Sequence, residues 1–237
     1  MRLKIFFTKN SEPVPSNNQG FVNSYVHKCL GNNNKYHDDF SDYNISHLIG
    51  RDKVIGKSTT DFSNGGMLVV SSESETFLNE LLTGIMSNTE IGWSMKYSHM
   101  EFINEKFYDG LNHFSTVSPI LLSESTGKKT RRFHIHSDGN YDEILTMRTL
   151  IKLNAINTKQ NLKLNLNGFK ITTTKGGWET SKDVMVKNVK NIASTYIATV
   201  KCSKKVARVL YNVGLGQSTG SGFGTICKVE NRKQYVL

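Results

Sequence analysis

The chain has 237 residues, enough for one or two domains with their own cores, and 37% apolar residues with only three prolines exclude a disordered polymer. Thirty Lys and Arg against twenty Asp and Glu leave a formal charge of +10. This points to a polyanionic partner, nucleic acid before membrane, with a basic soluble protein lacking such a partner as the plain alternative. Cys29, Cys202 and Cys227 lie too far apart for a zinc ribbon or a disulfide framework, and no apolar run is long enough for a signal-peptide core or a membrane span, so a reduced, cytoplasmic setting is expected.

In chain order, "MRLKIFF" alternates as a strand, with Leu3 and Ile5 opposite Arg2 and Lys4. "GFVNSYVHKCL" places Phe21, Val22, Tyr25, Val26, Cys29 and Leu30 on one helical face. "YNISHLIG" and "GMLVVSS" read as strands. "SETFLNELLTGIMSN" reads as a second amphipathic helix, with Ser72 and Glu75 as its capping box. "IGWSMKYSHMEFI" returns to strand. The order strand, helix, strand, strand, helix, strand is the ferredoxin-like unit, shared with RRM domains.

The second half reads as a looser copy, with the boundary near Gly110. "HFSTVSPILLS" is a strand, and "GKKTRRFHIHSDGNYDE" a hairpin or loop before the helix "YDEILTMRTLIKLNAI". "NLKLNLNGFKI" alternates as a strand through Leu162, Leu164 and Leu166, and "STYIATVKC" is another. "SKKVARVLYNV" is a helix with Ser203 as its cap. The fold class expected is α+β: two tandem βαββαβ domains, 1–110 and 111–237, with a carboxyl-terminal glycine-rich loop.

That loop, "GLGQSTGSGFG", holds Gly214, Gly216, Gly220, Gly222 and Gly224. A helix precedes it and a strand, "TICKVE", follows. This order is wrong for a P-loop or a dinucleotide fold. Five glycines exceed what one turn needs. The remaining reading is a bare backbone on which RNA phosphates lie, with Lys204, Lys205 and Arg208 on the preceding helix adding charge nearby.

"NVGLGQSTGSGFGTICKVE" resembles the glycine-rich signature of the RAMP superfamily, and within it the CRISPR-associated endoribonucleases of the sixth Cas family. "TVSPILLS" resembles that family's Ser-Pro-Ile strand, and "YNISHLIG" its F-x-F-S-x-L-x-G segment, with Tyr43 and Ile45 in the aromatic places. The opening strand and helix resemble its amino terminus. The resemblance implies cleavage of precursor CRISPR RNA within its repeats without metal or other cofactor. The ribose 2′-hydroxyl attacks the adjacent phosphate, leaving 2′,3′-cyclic phosphate and 5′-hydroxyl ends. The implied partner is repeat RNA, as precursor and as mature crRNA. Cas effector subunits and a homodimer are further partners to test; a membrane is not expected. A non-catalytic RAMP subunit that binds crRNA in an effector complex is the alternative.

Such a reaction needs a base, an acid and in-line alignment. His37 lies in the polar loop "GNNNKYHDDF", where a solvated histidine is the plain reading, and aligns with the family's catalytic histidine. His27 falls on the polar, exposed side of its helix, at the position where relatives carry Tyr or a second His. The two are assigned to acid and base work, with the order of roles open. Relatives often carry a Lys shortly after the catalytic histidine. Here "DDFSD" follows, which leaves Lys28 and Lys35 as candidate charge stabilisers.

His134 and His136 sit on one strand face as a candidate metal pair, but no third ligand has suitable spacing, so no metal site is expected. "GKKTRRFHIH" concentrates Lys128, Lys129, Arg131 and Arg132, with Phe133 and His134 as stacking surfaces for RNA. Arg148 and Lys152, four apart on the following helix, are expected to line a groove between the domains.

Overall fold

The computed structural model describes residues 1–31, 34–36, 41–50, 53–55, 59–127, 130–174, 181–186 and 189–235. His37, Lys128 and Lys129 lie outside the described residues.

The first half contains β1 (Arg2–Phe7), β2 (Val14–Pro15), α1 (Gln19–Cys29), β3 (Tyr43–Ile45), β4 (Lys53–Ile55), β5 (Thr59–Asp61), β6 (Gly66–Ser72), α2 (Glu75–Ser87), β7 (Glu90–Gly92) and β8 (Met95–Ile103). Its main sheet runs in the order β3-β6-β1-β8-β7, every adjacent pair antiparallel, with β2, β5 and β4 in a small separate ribbon. The second half contains β9 (Gly110–Thr116), β10 (Ser123–Ser125), β11 (Arg131–Phe133), α3 (Tyr141–Gln160), β12 (Lys170–Thr174), β13 (Ser181–Val186), β14 (Val189–Ser194), β15 (Ile197–Cys202), α4 (Lys204–Val213) and β16 (Ile226–Lys228). Its sheet runs β12-β15-β9-β16.

Each half is thus a βαββαβ unit in which the third strand lies beside the first, the second is outside the third, and the fourth closes the other side. The fold is the expected pair of ferredoxin-like units. Two helices cover one face of each sheet. In the first unit, Val22, Tyr25 and Val26 of α1 and Phe77, Leu78, Leu81 and Ile85 of α2 pack on Leu3, Ile5, Leu68 and Val70. In the second, Leu145, Leu153 and Ile156 of α3 and Val206, Val209 and Leu210 of α4 pack on Phe114, Ala198 and Val200. Each such buried side chain contributes about 1.5–3 kcal/mol of transfer free energy.

Several local readings change. Phe21 is exposed and meets only the edge of Trp93, at 5.5 Å, because the α1 core face ends at Val22. The cap of α2 is Ser74, whose hydroxyl accepts from the Phe77 amide at 3.2 Å; Ser72 instead accepts from the Ser74 amide at 3.0 Å. "IGWSMKYSHMEFI" is a hairpin, β7 and β8, turned by Trp93 and Ser94 with φ of 52° and 60°. Leu162, Leu164 and Leu166 pack on the second core without belonging to a strand, and Lys163 has φ 54°, a left-handed conformation that breaks extended pairing. The β13–β14 hairpin is an addition to the expected elements. Ser203 caps α4 as expected, accepting from the Val206 amide at 3.4 Å.

Arg2 and Lys4 are buried rather than solvated, because the second unit covers the face of the first sheet that lacks helices. There, Met67 and Val69 of β6 meet Cys227 of β16. The Arg2 guanidinium lies over the Tyr211 ring, 3.5 Å from its centre, and donates to the carbonyls of Ile226 and Tyr211.

Candidate functional site: a polar cleft against the glycine-rich segment

The five glycines do not form an open backbone platform. All of Gly214, Gly216, Gly220, Gly222 and Gly224 are buried, and only Ser218 in this segment is fully exposed. The expectation of a naked surface under RNA is therefore corrected. The glycines are needed because the segment packs tightly against the first unit at Gly220 and Gly222 and against its own unit at Gly216 and Gly224. Gly224 has φ 76°, and a Cβ there would overlap the Leu215 carbonyl. At Gly220 a Cβ would stand 2.8 Å from the Tyr43 ring and 2.7 Å from the Ser41 hydroxyl.

Polar groups of β3 stitch the segment down. The Asn44 amide donates to the Phe223 carbonyl at 3.0 Å and accepts from the Thr225 hydroxyl at 2.6 Å. The Thr219 hydroxyl donates to the Tyr43 carbonyl at 2.9 Å. All of these groups lie in the interior, where an unmatched partner would cost about 1–3 kcal/mol.

Beside this joint opens a cleft of about 370 Å³. One wall is α1, with Asn23, Ser24, His27 and Lys28. Asn34, Ser41, Tyr43, Gly220, Ser221 and Val186 of β13 complete its lining. His27 is half-buried, with its ring edge toward Tyr43 at 6.4 Å, and the Asn34 amide donates to the His27 carbonyl at 3.2 Å. The helical wheel alone puts His27 on the exposed side of α1. In the fold it is sheltered, because the glycine-rich segment and β13 close over that side.

His37 lies outside the described residues. Tyr36 is buried, its carbonyl accepting from the Tyr43 hydroxyl at 3.2 Å, and Ser41 lines the cleft. Of the two candidate charge stabilisers, Lys28 lines the cleft. Lys35 is drawn toward α2, with its ammonium 4.0 Å from Glu80 and 5.2 Å from the Tyr36 ring centre.

The basic residues divide into groups. Arg131 and Arg132 are exposed on the β10–β11 hairpin, with Arg132 3.9 Å from Glu124. Phe133 packs with Leu121, Val184 and Phe223, so its ring serves the hydrophobic joint rather than RNA stacking. His134 is buried between Glu124 at 3.5 Å and Asp138 at 3.9 Å. His136 bonds the Thr173 hydroxyl at 2.7 Å and stacks on Tyr196. Neither belongs to a strand, which removes the shared-face pair, and among the described residues no group of three or more His, Cys, Asp or Glu could hold a metal ion.

Arg148 is half-exposed on α3. Lys152 does not line a groove. It is buried, and its ammonium donates to the carbonyls of Val213 at 2.7 Å and Gly214 at 3.2 Å and to the Thr219 hydroxyl at 3.2 Å, from the interior side of the glycine segment. Lys204, Lys205 and Arg208 sit near the start of α4, and ten residues of helix, about 15 Å, separate Lys204 from Gly214. They do not add charge beside the loop: Lys205 donates to the Leu162 carbonyl, and Arg208 pairs with Glu73 at 3.3 Å.

Asn23, Ser24, Asn34, Ser41, Ser221 and Val186 are site residues that sequence reasoning misses. Their residue types carry no signal, and only the folding of α1, β3, β13 and the glycine segment onto one another brings them together.

The glycine-rich segment thus joins two ferredoxin-like units in tandem. The sequence pattern of the family "CRISPR associated protein Cas6, C-terminal" matches residues 102–227, more than half of the chain, and the chain belongs to this family. No curated protein matches. Among solved structures, "An RAMP protein binding different RNA substrates" is similar with a TM-score of 0.83 and 19% identity, covering 97% of this chain and 99% of that one. A structure described as "Characterization of a Cas6-related gene from Pyrococcus furiosus" is similar with a TM-score of 0.81 and 20% identity, covering 97% and 98%. A third, "CRISPR associated protein Cas6", has a TM-score of 0.77 and 18% identity, covering 97% and 99%. At these identities the likeness is one of fold. No helix is long and apolar enough to cross a membrane among the described residues.

Proposed function

We propose that this Cas6-family protein is an endoribonuclease that cuts precursor CRISPR RNA within its repeats, with His27 and His37 sharing the proton transfers. The observation that carries this reading is the position of His27: half-buried on α1, in a polar cleft that Gly220 and Ser221 also line. An RNA strand lying in that cleft would present its scissile phosphate to an imidazole, beside Gly220 and Ser221. One histidine takes the proton of the 2′-hydroxyl as it attacks phosphorus. The other gives a proton to the departing 5′ oxygen. An imidazole is chemically suited to either role at neutral pH. Lys28 is assigned to the charge that builds on the phosphate oxygens.

In this reading residues 1–110 supply the proton-transfer groups. Residues 111–237 supply Gly220 and Ser221 of the cleft and, through Arg131 and Arg132, the grip on flanking RNA. Partners are the precursor and the mature crRNA.

A second reading is a RAMP subunit that holds crRNA without cutting it. The similar structure described as an RAMP protein binding different RNA substrates favours it, as does the acidic "DD" after His37 where relatives offer a lysine.

The test is cleavage of repeat RNA from the host's own CRISPR arrays, in EDTA, with product ends identified. Cutting that falls at least ~100-fold in His27→Ala and in His37→Ala supports the nuclease assignment. Undiminished cutting by either variant removes that histidine from the mechanism. Tight binding of repeat RNA with no cutting by the unmodified protein establishes the subunit reading instead.

A further inference from the structure

Lys152 carries a titratable amino group into the sealed interior, and among the described residues its hydrogen-bond partners include no carboxylate. Four oxygens surround its nitrogen: the carbonyls of Val213 at 2.7 Å, Gly214 at 3.2 Å and Gly216 at 3.5 Å, and the Thr219 hydroxyl at 3.2 Å. Val213 and Gly214 are the end of α4, whose last carbonyls lack helical partners and carry the negative end of its dipole. Gly216 and Thr219 belong to the turn that follows.

An ordinary hydrophobic core would have placed Leu or Met at this point of α3, whose buried neighbours include Leu145, Leu153 and Ile156. A buried ammonium is costly unless its donors are used. Here they are used, and what they hold is the chain that leads into Gly220 and Ser221 of the candidate cleft.

The linkage can be followed atom by atom. Thr219, which accepts from Lys152, donates in turn to the Tyr43 carbonyl at 2.9 Å. The next residue, Gly220, rests on the Tyr43 ring, and Gly220, Ser221 and Tyr43 all line the cleft with His27. The same helix reaches this region a second time. Gln160, at the end of α3, donates to the Asp42 carboxylate at 3.0 Å, and the Lys159 ammonium lies 3.4 Å from it. Asp42 stands between Ser41 and Tyr43, both cleft residues.

We propose that Lys152 is a positioning residue, an internal post that fixes the glycine-rich segment so that Gly220 and Ser221 stand at the correct distance from His27. It touches no substrate and acts through the segment. The proposal rests on the nuclease reading for its catalytic consequence, but its physical core, fixation of the loop, is measurable without RNA.

The experiment compares the full-length protein with Lys152→Met and Thr219→Val. Amide hydrogen exchange read by mass spectrometry reports on residues 214–221, and near-ultraviolet circular dichroism reports on folding. Lys152→Met is expected to speed exchange in this segment at least about tenfold, while peptides from β1, β6 and β15 keep their protection. In single-turnover cleavage of repeat RNA, the maximal rate should fall about tenfold or more with the RNA Kd changed less than about threefold. That split is what displacement of cleft-lining residues gives and general destabilisation does not.

Thr219→Val removes only the hydroxyl that relays the post to Tyr43, and decides the matter if Lys152→Met fails to fold. It should show the same pattern at a smaller size. Unchanged exchange in the segment, in a folded Lys152→Met or, failing that, in Thr219→Val, overturns the proposal. If exchange rises as expected but the unmodified protein does not cut repeat RNA, the post stands and the nuclease reading falls.

Discussion

The first helices of the two units, α1 and α3, hold equivalent places in the βαββαβ order, and both reach the glycine-rich segment. They meet it from opposite sides. From α1, His27 and Lys28 approach across a water-accessible cleft. From α3, Lys152 approaches through the interior and ends on main-chain oxygens. One topological position, repeated, has given a group available to chemistry in one unit and a group consumed by structure in the other. Residue type does not separate these outcomes, since both helices present a basic nitrogen. What separates them is whether a third element completes the enclosure. On the α1 side, β13 contributes Val186 and stops; on the α3 side, the end of α4 and the turn after it close the space completely.

The most damaging way to break this arrangement is to thicken the segment that both helices share. Gly224→Ala forces a methyl group into the Leu215 carbonyl at a residue with φ 76°. A loss of about 3 kcal/mol or more in urea unfolding is expected, or failure to accumulate as folded protein. A change below about 1 kcal/mol would mean that the segment can relax away from the joint.

A sharper comparison uses pH. Burial pushes the Lys152 ammonium down to about 7 from an ordinary value of 10.5. The unfolded chain then holds a proton that the folded chain has released between those two values. Folding stability attributable to Lys152 therefore rises as pH climbs from about 7 toward 10.5, with a slope of at most about 1.4 kcal/mol per pH unit. His47 works in a lower window. Its ring meets the edge of Phe223, and burial first, then the Lys182 charge, bring it to about 4 from 6.5. Its contribution is complete above pH 6.5 and is lost as pH falls toward 4. Urea titrations at pH 5, 7 and 9 should show both rises, and Lys152→Met should reduce only the upper one, to which the Met1 amino group and Lys4, both lowered by burial, also contribute. An unchanged upper slope in that variant would assign it to another group.

The smallest expected effect separates exposed from engaged cations. Replacing Arg131 and Arg132 together by Ala should flatten the dependence of log Kobs on log salt by about 0.7 for each phosphate no longer neutralised, as read by filter binding of repeat RNA. Arg208→Ala, which removes a partner of Glu73 rather than of a phosphate, should leave that slope in place and affinity within about twofold. Equal effects from the two would dissolve the distinction between them.

Much of the architecture is written in local pattern. The apolar spacing of α2, the alternation of β1 and the Ser203 cap are signals confined to a few residues, and they hold. The readings that change depend on residues far apart in the chain. Arg2 and Lys4 alternate with Leu3 and Ile5 as if facing water, and nothing nearby announces that β16, more than two hundred residues on, covers them. Lys152 looks like any solvated helix lysine until α4 is set beside it. The glycine segment is legible as a place where side chains cannot fit, but sequence does not say what crowds them out: at Gly214, Gly220 and Gly222 the crowding includes Asn44, Ser41, Tyr43 and Gln19 of the other unit, while Gly216 and Gly224 meet Ile120, Leu121 and Leu215 of their own. The β13–β14 hairpin escapes a sequence reading because Val184, Met185 and Val186 form too short an apolar run to show a period.

The Arg2 guanidinium carries a consequence for synthesis. Its acceptors, the Tyr211 and Ile226 carbonyls, lie 209 and 224 residues further along the chain. During translation Arg2 is made long before either of them exists. A first unit folded before residues 211–226 are made would leave that cation and that sheet face uncovered until α4 and β16 dock on them.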